Sequence, residues 1–263
     1  MFGCQESNEP DGYAELRKCW MLESFERVLV AIPAYNEQAT IADVVRRVRA
    51  SLPEFDLLVI NDGSTDSTPE ILRSLGVIVA THLCNLGYGR AIQTAIKYAH
   101  QLNYDVLITV DADGQHHPEQ VHRLYRESRE SGWDLLIGSR YIETRDYSRE
   151  PIGRRMGMQL FSIVARLLTG RAIYDTTSGL KIMRRSVFVP LARWHCLDFH
   201  AEAIVYLLSL GYRVGESPIS VAERTAGQSM YSFASLFQYP VNTGIMTAIG
   251  AVEGKLVQRR SSA

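Results

Sequence analysis

The sequence has few of the features that mark a specialised class of protein. Its four cysteines form no Cys-x-x-Cys pair and have no histidine partners at zinc-finger spacing, so we expect reduced thiols in the cytoplasm rather than a zinc site. No stretch reaches the ~18 consecutive apolar residues that a membrane-spanning helix needs. Lys and Arg number 28 against 29 Asp and Glu, and this net charge of −1 argues against a nucleic-acid partner. What remains is a chain of 263 residues, long enough to bury a core without disulfide or metal staples.

Five short apolar runs alternate with segments of helical periodicity in the first half of the chain. The runs occupy residues 28–32, 57–60, 77–80, 106–110 and 135–137. They are continuous rather than alternating, which is typical of strands buried on both faces of a mainly parallel sheet. Between them, apolar residues such as Ile41, Val44 and Val48 repeat at the spacing of one helical face. This alternation predicts an α/β fold with a doubly wound, mainly parallel sheet.

Beyond Gly138 the pattern becomes more helical. Apolar residues over 156–168 favour a helix, and a turn rich in Thr, Ser and Gly follows at 175–179. A further helix is predicted over 201–210 and a last strand near 212–221. We therefore expect a C-terminal helical segment beside the sheet.

The residues directly after the apolar runs carry most of the candidate chemistry. In a parallel sheet the carboxyl ends of the strands share one edge, where ligands bind. Glu37, Asp62 and Asp111 all follow predicted strands, so several carboxylates are expected at that edge. Such like charges repel unless a cation lies among them. Asp111 and Asp113, at positions i and i+2, present hard oxygen ligands that suit Mg²⁺ or Mn²⁺.

Each of these motifs also has a purely structural interpretation. The Asp-x-Asp-Gly motif at 111–114 can be a turn with local hydrogen bonds, and Asn-Asp-Gly-Ser at 61–64 can be a turn followed by a helix cap. The Gly-Tyr-Gly loop at 87–89 can simply lead into a helix, although its glycines would also let backbone N–H groups approach a phosphate. It is the complete set, in order and at strand ends, that is specific and that favours a phosphorylated ligand bridged by a divalent cation.

Taken together, these motifs resemble a known family. The segments AIPAYNEQATI, VINDGSTDST, NLGYGRAIQTAI, ITVDADGQHHPE and IGSRY are similar to those of family 2 glycosyltransferases, which have the GT-A fold. The arginine pair at 154–155, the segment DTTSG at 175–179 and Arg224 with its following Gly-Gln-Ser resemble the dolichyl-phosphate mannose synthase branch. The resemblance covers roughly residues 28 to 230.

The resemblance implies a donor site, a metal site and an acceptor site. The residues that bind the nucleotide-sugar would be Pro33, Tyr35, Glu37, Asp62, Gly87, Asp111, Ala112 and Asp113. The ligands of Mg²⁺ or Mn²⁺ would be Asp111, Asp113 and Gln115. The catalytic residues would be Asp113 and Arg140, the latter facing the phosphates. The acceptor would contact Arg154, Arg155, Ser178, Gly179 and Arg224.

The resemblance also implies a division of the chain. Residues 1–26 would form a flexible extension, 27–230 the glycosyltransferase domain, and 231–263 a C-terminal segment that lies on a membrane surface or binds a partner. Within the domain, 27–138 would be the nucleotide-sugar half and 139–230 the acceptor half. Many members of this branch continue into membrane helices at the place where this chain stops. We therefore expect peripheral attachment to the cytoplasmic face of a membrane, directly or through a small membrane-anchoring partner.

The chemistry of the acceptor distinguishes two versions of this function. A sugar hydroxyl needs a general base, for which Asp175, Asp198 and Glu202 are the candidates. A phosphate monoester, with a second pKa near ~6, is already anionic at pH 7 and needs cations rather than a base. Seven basic residues and a single acidic one lie between positions 154 and 185. This excess predicts a phosphate-binding surface or, alternatively, a solvated basic face.

We therefore expect a metal-dependent, inverting glycosyltransferase that moves a single sugar from GDP-mannose or a UDP-hexose to a polyprenyl or dolichyl phosphate. The alternative within the family is a hydroxyl acceptor in polysaccharide or natural-product assembly. A sugar nucleotidyltransferase is disfavoured because no Gly-rich loop with Arg and Lys follows the first strand. An inactive nucleotide-sugar-binding module is disfavoured by the intact Asp111 and Asp113. The helix over 156–168 suits either the core or a lipid headgroup region.

Overall fold

The computed structural model describes residues 26–115, 117–147, 152–194 and 199–221. The expected extension over 1–26, apart from Glu26, and the expected segment over 231–263 lie outside these residues, as does Arg224. Arg154 is described by its backbone and not by its side chain. The roles assigned to these parts of the chain therefore stay predictions.

Within the described residues, seven strands form one sheet that is parallel except for a single strand. In chain order they are β1 (Val28–Ala34), β2 (Asp56–Asn61), β3 (Ile78–Thr81), β4 (Val106–Thr109), β5 (Leu135–Ser139), β6 (Lys181–Arg184) and β7 (Val214–Pro218). Across the sheet the order is β3-β2-β1-β4-β6-β5-β7. Strand β6 runs antiparallel to both β4 and β5, and the other neighbouring strands are parallel. The predicted α/β class with a mainly parallel sheet is confirmed.

Helices cover both faces of this sheet. Those in the described ranges are α1 (Ile41–Ser51), α2 (Thr68–Ser74), α3 (Tyr88–Gln101), α4 (Pro118–Ser131), α5 (Ile152–Thr169), α6 (Phe188–Arg193) and α7 (Ala201–Ser209). The core on one face contains buried residues of α1, α2 and α4. The core on the other face contains those of α3, α5, α6 and α7. This is the doubly wound arrangement expected from the sequence.

Four of the five apolar runs of the sequence are buried because both faces of their strands are covered. The run at 77–80 lies largely in the edge strand β3, whose residues are exposed or half-buried, so its predicted burial is wrong. In β1, Leu29 and Val30 belong to opposite cores, and both are 0% exposed. Helix α1 buries the side chains predicted for its apolar face, among them Ile41, Val44 and Val48. Such burial contributes roughly 25 cal/mol per Å² of apolar surface. The sheet is therefore a rigid base for the loops at its ends.

The antiparallel strand β6 does not stand out in the apolar pattern of the sequence. It is four residues long and has a cation at each end, Lys181 and Arg184, so it forms no continuous apolar run. Its register pairs Lys181 with Thr109 of β4 and with Ile137 of β5. The turn before β6 therefore arrives at the carboxyl ends of β4 and β5, the edge that also carries Asp111.

Helix α5 packs one face on the core and leaves another face in solvent. Met158, Phe161 and Ala165 are buried, whereas Ile163 and Leu167 are 57% and 80% exposed. Of the two environments that the sequence leaves open for this helix, core packing is thus present on one side. No helix in the described ranges is long and apolar enough to cross a membrane.

Candidate active site

Loops from four parallel strands meet at one edge of the sheet. Ala34 and Asn61, which end β1 and β2, are register partners, and Thr109 at the end of β4 pairs with Ala31 of β1. We call this the site edge. It comprises the loops at residues 35–40, 62–67, 110–115 and 140–147 and the turn at 175–180. Most of the predicted site residues lie in these segments.

The loop after β1 is tied to the loop after β2 by hydrogen bonds. The backbone N–H of Asn36 donates to Ser64 Oγ at 3.0 Å, and Asn36 Oδ1 accepts the backbone N–H of Thr65 at 2.8 Å. The backbone N–H of Glu37 donates to Thr68 Oγ1 at 2.9 Å. Asn36 has a φ of 56°, a left-handed conformation that Asn tolerates better than most residues. The two loops therefore form one rigid unit.

The carboxylate of Asp66 strengthens this unit. It accepts the backbone N–H of Gln38 at 3.1 Å and that of Thr68 at 2.9 Å. Burial acts to raise the pKa of Asp66, but hydrogen bonds from Thr68 and Gln38 outweigh it and hold the pKa below its ordinary value of 3.8. Asp66 is therefore ionised at neutral pH and keeps both loops in register.

Three residues that are predicted to bind the nucleotide-sugar lie at the rim of this unit. Tyr35 is 39% exposed, and Pro33 and Glu37 are half-buried. The hydroxyl of Thr40 donates to Glu37 Oε2 at 2.9 Å, so the carboxylate of Glu37 already has a fixed orientation. The structure thus brings these three residues together at the accessible end of β1.

Asp62 is buried and directs both carboxylate oxygens to the loop that leads into α3. Its Oδ1 accepts the backbone N–H of Leu86 at 2.9 Å and lies 2.6 Å from His82 Nδ1, and its Oδ2 accepts the N–H of Gly87 at 2.8 Å. His82 Nε2 lies 2.9 Å from Thr94 Oγ1 in α3. Asp62 and Gly87, both predicted to bind the nucleotide-sugar, are therefore hydrogen-bonded to each other. The contact between Asp62 and a nucleotide base stays a prediction.

Gly63 lets the loop after β2 approach the loop after β3 closely. Its φ is +69°, and a Cβ placed on it would lie 2.4–2.8 Å from backbone atoms of Cys84 and Asn85. A residue with a side chain is strongly disfavoured here on both grounds. Cys84 itself is a free, exposed thiol.

The Asp-x-Asp motif follows β4 in the middle of the site edge. Ala112 is buried, whereas Asp111 and Asp113 are partly exposed. Asp113 Oδ1 accepts the backbone N–H of Gln115 at 3.0 Å. The local turn that the motif predicts is therefore present, and it orients the side chain of Asp113.

Gly179 leaves room for the carboxylate of Asp111. A Cβ on residue 179 would lie 1.9–2.0 Å from the carboxylate carbon and oxygens of Asp111. The carboxylate therefore rests directly on the Cα atom of Gly179. A predicted acceptor residue and a predicted metal ligand are thus in contact.

The donor atoms of this motif fit a divalent metal ion. Asp111 and Asp113 supply carboxylates and Gln115 supplies an amide oxygen, a hard-oxygen set that suits Mg²⁺ or Mn²⁺. No group of three or more His, Cys, Asp and Glu side chains converges as a metal site within the ranges that the structure covers. Mg²⁺ is commonly held by one or two carboxylates together with substrate phosphates. The motif therefore suits an ion that binds jointly with a diphosphate.

Lys181 is a buried cation beside the motif. It is 1% exposed, and its Nζ donates to the backbone oxygen of Ser178. Burial lowers the pKa of Lys181 to about 8. The carboxylates of Asp111, Asp175 and Glu202 act in the opposite direction and favour its charged form. Lys181 is therefore an internal counter-charge for acidic groups at the site edge.

Arg140, the predicted phosphate-facing residue, is bound to the buried carboxylate of Asp175. Its Nε and Nη2 donate to Asp175 Oδ2 and Oδ1 at 2.7 and 2.8 Å, and Nη2 also lies 2.9 Å from Thr177 Oγ1. Asp175 is 0% exposed and the Arg140 side chain 19%. Burial acts to raise the pKa of Asp175, but the hydrogen bonds and the charge of Arg140 outweigh it and lower the pKa. Asp175 therefore remains ionised at neutral pH.

Glu216 of β7 fixes the backbone on which Asp175 lies. Its two carboxylate oxygens accept the N–H groups of Tyr174 and Asp175, each at 2.8 Å. Burial raises the pKa of Glu216, although these hydrogen bonds act against the rise. Strand β7 therefore sets the position of Asp175 and, through it, that of Arg140.

The remaining predicted acceptor residues have different surroundings. Ser178 is buried, and its Oγ accepts the backbone N–H of Leu180 at 3.3 Å within its own turn. Arg155 is exposed on α5. Ser178 therefore helps to shape the turn beneath Asp111, whereas Arg155 is available to a ligand in solvent.

The described basic side chains between 154 and 185 do not share one surface, so the prediction that the whole segment forms a phosphate-binding surface is wrong. Arg184 Nη2 donates to Glu26 at 2.7 Å, and Arg185 Nη2 donates to Asn103 Oδ1 at 2.7 Å. Both arginines lie at the edge opposite the site edge, because β6 runs antiparallel. Arg171 donates to the first residue of β7 at that same edge. The charge excess is therefore a property of the sequence segment and not of one surface.

Three residues that shape the site are not evident from the sequence: His82, Lys181 and Glu216. A lysine just after a Ser-Gly turn and a glutamate in a short C-terminal strand are weak signals by themselves. The importance of Lys181 and Glu216 depends on β6 and β7 lying next to β5, and that of His82 depends on the loop after β3 reaching Asp62.

Comparison with known proteins identifies the family. The model described as glycosyl transferase family 2 matches residues 29–190. Polyprenol monophosphomannose synthase of Mycolicibacterium smegmatis is 31% identical over 80% of this chain and 83% of its own length. Undecaprenyl-phosphate mannosyltransferase of Micrococcus luteus is 31% identical over 82% of this chain and 92% of its own length. The uncharacterized protein MJ1222 of Methanocaldococcus jannaschii is 34% identical over 59% of this chain, and the match covers 64% of that relative's own length.

Solved structures show the same fold. Glucosyl-3-phosphoglycerate synthase from Mycobacterium tuberculosis has a TM-score of 0.65 at 16% identity, over 91% of this chain and 84% of its own. A second structure of that enzyme contains Mn²⁺, UDP-glucose and phosphoglyceric acid and has a TM-score of 0.62 at 15% identity, over 94% and 85% of the two chains. At this identity the similarity shows the GT-A fold alone. With the family match and the relatives over most of its length, the chain belongs to glycosyl transferase family 2 and is a glycosyltransferase.

Proposed function

We propose that this glycosyltransferase moves a single sugar from a nucleotide-sugar to a polyprenyl phosphate, with a divalent metal ion and with inversion at the anomeric carbon. The names of the mycobacterial and Micrococcus relatives support a lipid acceptor of this class. A relative from Methanococcus voltae, 27% identical over 73% of this chain and 84% of its own length, is a UDP-N-acetylglucosamine–dolichyl-phosphate N-acetylglucosaminyltransferase. The relatives thus share the acceptor class and differ in the sugar, so the donor is left to experiment.

The observation that carries this choice of acceptor is the pairing of Asp175 with Arg140. Transfer to a hydroxyl needs a carboxylate that can accept a proton. Asp175 is fully buried, binds Arg140 through both oxygens and has a lowered pKa, so it is a poor base. Glu202 is 3% exposed and faces the charge of Lys181, and Asp198 lies outside the described residues. A phosphate acceptor needs no base, since it is already ionised at pH 7.

We assign the donor nucleoside to the rim formed by Pro33, Tyr35 and Glu37. The hydrogen bonds between the two loops hold this rim in place without a ligand. Asp62 positions Gly87, and no atom beyond Gly87 and its two chain neighbours lies within 4 Å of the place where a Cβ of Gly87 would be. The backbone there is open to a phosphate group. The donor would therefore extend from the end of β1 towards the start of α3.

We assign Mg²⁺ or Mn²⁺ to Asp111, Asp113 and Gln115. When bound, the ion would neutralise the negative charge that develops on the departing diphosphate. The contact of Asp111 with Gly179 and the hydrogen bond from the Gln115 N–H to Asp113 orient both carboxylates beforehand. Arg140, held at the same edge by Asp175, would add a fixed positive charge for the phosphates.

We assign the acceptor phosphate to the arginines and the turn of the second half. These residues are Arg154, Arg155, Ser178, Gly179 and Arg224. Planar guanidinium groups match the geometry of phosphate oxygens. On α5, Ile163 and Leu167 are exposed on the helix that carries Arg155. We propose that this helix contacts the cytoplasmic face of the membrane that holds the lipid acceptor, directly or through a small anchoring partner.

A single assay tests the proposal. The full chain is incubated with Mn²⁺, a panel of GDP- and UDP-sugars, and either a short polyprenyl phosphate or the matching polyprenol, and products are identified by mass spectrometry. We expect a polyprenyl-phosphate sugar whose anomeric configuration is opposite to that of the donor. Asp113→Asn should abolish transfer while leaving the circular dichroism spectrum unchanged, and Asp43→Asn on the exposed side of α1 should have no effect. Transfer to polyprenol but not to polyprenyl phosphate would overturn the proposed acceptor.

A further inference from the structure

Thr109 fastens the turn before β6 to the end of β4. Its Oγ1 donates to the backbone oxygen of Gly179 at 2.7 Å and accepts the backbone N–H of Lys181 at 3.2 Å. Thr109 is 1% exposed and is the register partner of Lys181. The backbone on either side of residue 180 is therefore fixed relative to the strand that leads to Asp111.

The side chain of Lys181 folds back over the same turn. Its Nζ donates to the backbone oxygen of Ser178, so the ammonium group binds the same turn that Thr109 anchors. Gly179, whose backbone oxygen accepts the hydroxyl of Thr109, follows Ser178 directly, and its Cα supports the carboxylate of Asp111. Lys181 and Asp111 therefore both contact the same short segment of backbone.

The charge of Lys181 is as notable as its hydrogen bond. Burying an ion costs several kcal/mol unless other charges compensate it. The compensating carboxylates, Asp111, Asp175 and Glu202, come from three separate segments of the chain, while Arg140 opposes the lysine charge. A methionine of similar length would fill the same space without this electrostatic demand. A buried cation at this position therefore needs an explanation beyond packing.

We propose that Lys181 is a positioning residue of the metal site, an inference that rests on the proposed function. Its ammonium group fixes the turn at residues 178–179, against which the Asp111 carboxylate lies, and balances part of the negative charge there until a metal ion binds. With 1% exposure it acts through Asp111 and has no surface for a substrate.

Whether removal of Lys181 weakens or strengthens metal binding distinguishes a positioning role from charge repulsion alone. A cation repels a nearby metal ion, so removing the lysine charge alone would strengthen metal binding. Loss of the support for Asp111 would weaken it. Changes in residues that orient metal ligands typically weaken metal binding by about 10- to 100-fold. The positioning role therefore predicts weaker binding in spite of the lost repulsion.

The experiment measures binding of Mn²⁺ to the full chain in the presence of UDP or GDP, by the electron paramagnetic resonance signal of free Mn²⁺. The variants are Lys181→Met, Lys181→Arg and Thr109→Val, and the control is Lys97→Met, which changes an exposed lysine of α3. We expect Lys181→Met to bind Mn²⁺ about 10-fold more weakly than the wild type. Lys181→Arg should retain more affinity than Lys181→Met, and Lys97→Met should match the wild type. Melting temperatures without Mn²⁺ identify any variant that fails to fold.

Each outcome decides the inference. Unchanged or tighter Mn²⁺ binding by a folded Lys181→Met variant would overturn it. If Lys181→Met does not fold, Thr109→Val replaces it, since this variant loosens the same turn without changing charge, and wild-type Mn²⁺ affinity in that variant would overturn the inference. If the wild type binds no Mn²⁺ with either nucleotide, the proposed function itself is wrong and the inference falls with it.

Discussion

The guanidinium of Arg140 and the carboxylate of Asp175 form a two-point ion pair at the site edge, with contacts of 2.7 and 2.8 Å. The backbone N–H of Arg140 donates to the same carboxylate at 3.0 Å. Because Asp175 is completely buried, this pair is shielded from the solvent that weakens surface ion pairs. It joins the loop after β5 to the turn before β6, and so links the two segments that flank the proposed phosphate site.

Replacement of Asp175 by Ala should therefore destabilise the protein strongly. Removing one partner of a buried pair leaves the other uncompensated, at a cost of about 3–5 kcal/mol in the free energy of unfolding at pH 7. Asp43→Ala, which removes an exposed pair with Arg47 at 3.7 Å, is the control and should cost about 1 kcal/mol or less. Urea denaturation measures both. Equal effects of the two substitutions would contradict the importance of the Arg140–Asp175 pair.

The destabilisation caused by Asp175→Ala should also depend on pH. The pKa of Asp175 is lowered in the folded protein from its ordinary value of 3.8. Its contribution to stability is therefore fully present above about pH 4 and is lost as the pH falls through the folded-state pKa. The difference in unfolding free energy between wild type and Asp175→Ala should shrink below pH 4. A difference that stays constant from pH 6 to pH 3 would contradict this assignment.

Two glycines with positive φ provide a matched test of the contact between the loops after β2 and β3. Gly76→Ala meets no atom within 4 Å and should cost about 1–2 kcal/mol for its left-handed backbone alone. Gly63→Ala carries the same backbone penalty and also drives a methyl group into the backbone of Cys84, which should add about 1–3 kcal/mol. Gly63→Ala should also reduce the rise in melting temperature that a nucleoside diphosphate produces, because the displaced loop leads to Gly87. Equal stability of the two variants would show that the loops separate at little cost.

The raised pKa of Tyr104 should make its contribution to the free energy of unfolding depend on pH in the alkaline range. Burial and the 2.8 Å hydrogen bond to Asp56 raise its pKa from 10.0 to about 12. A raised folded-state pKa gives stability that is complete below pH 10 and is lost as the pH rises towards 12. Tyr104→Phe loses this hydrogen bond and should have a free energy of unfolding about 1 kcal/mol lower than the wild type at pH 8. This difference in unfolding free energy should narrow between pH 10 and pH 11.5. Urea denaturation across this range measures the difference, and a widening difference would contradict the prediction.

The arginine pair of α5 provides the test of the acceptor site. Changing Arg154 and Arg155 together to Ala should raise the KM for polyprenyl phosphate by about 10-fold or more, because hydrogen bonds to charged groups contribute about 1.5–3 kcal/mol each. The KM for the nucleotide-sugar should change little. Arg166→Ala, an exposed arginine at the other end of the same helix, is the control for loss of positive charge. Equal increases in both KM values would remove these arginines from the acceptor site.

The donor half of the fold follows closely from the sequence. Its apolar runs predict β1 to β5, and all of these strands except the edge strand β3 are buried on both faces. The residues after them reach one edge as the parallel arrangement requires. Asp62 shows where this inference stops, because its carboxylate is bonded to His82, Leu86 and Gly87. Those partners lie 20 to 25 positions away in sequence and follow a different strand.

The second half is harder to predict because its sheet order does not follow the chain. Strand β6 enters between β4 and β5 and runs in the opposite direction. This reversal sends Lys181 to the site edge and Arg184 to the opposite edge, so a charge count along the segment cannot locate a surface. It also places Gly179 against Asp111, a contact that depends on the register between β4 and β6.

The close packing of Gly63 on the backbone of residue 84 leaves the thiol of Cys84 in solvent. After replacement of the other three cysteines, a fluorophore could be attached to this sulfur. It would lie on the loop that is hydrogen-bonded to Asp62 three residues further along the chain, at Gly87. Its emission would report nucleotide capture while leaving the proposed donor residues unmodified. The protein thus carries its own attachment point for an optical sensor of sugar-nucleotide binding.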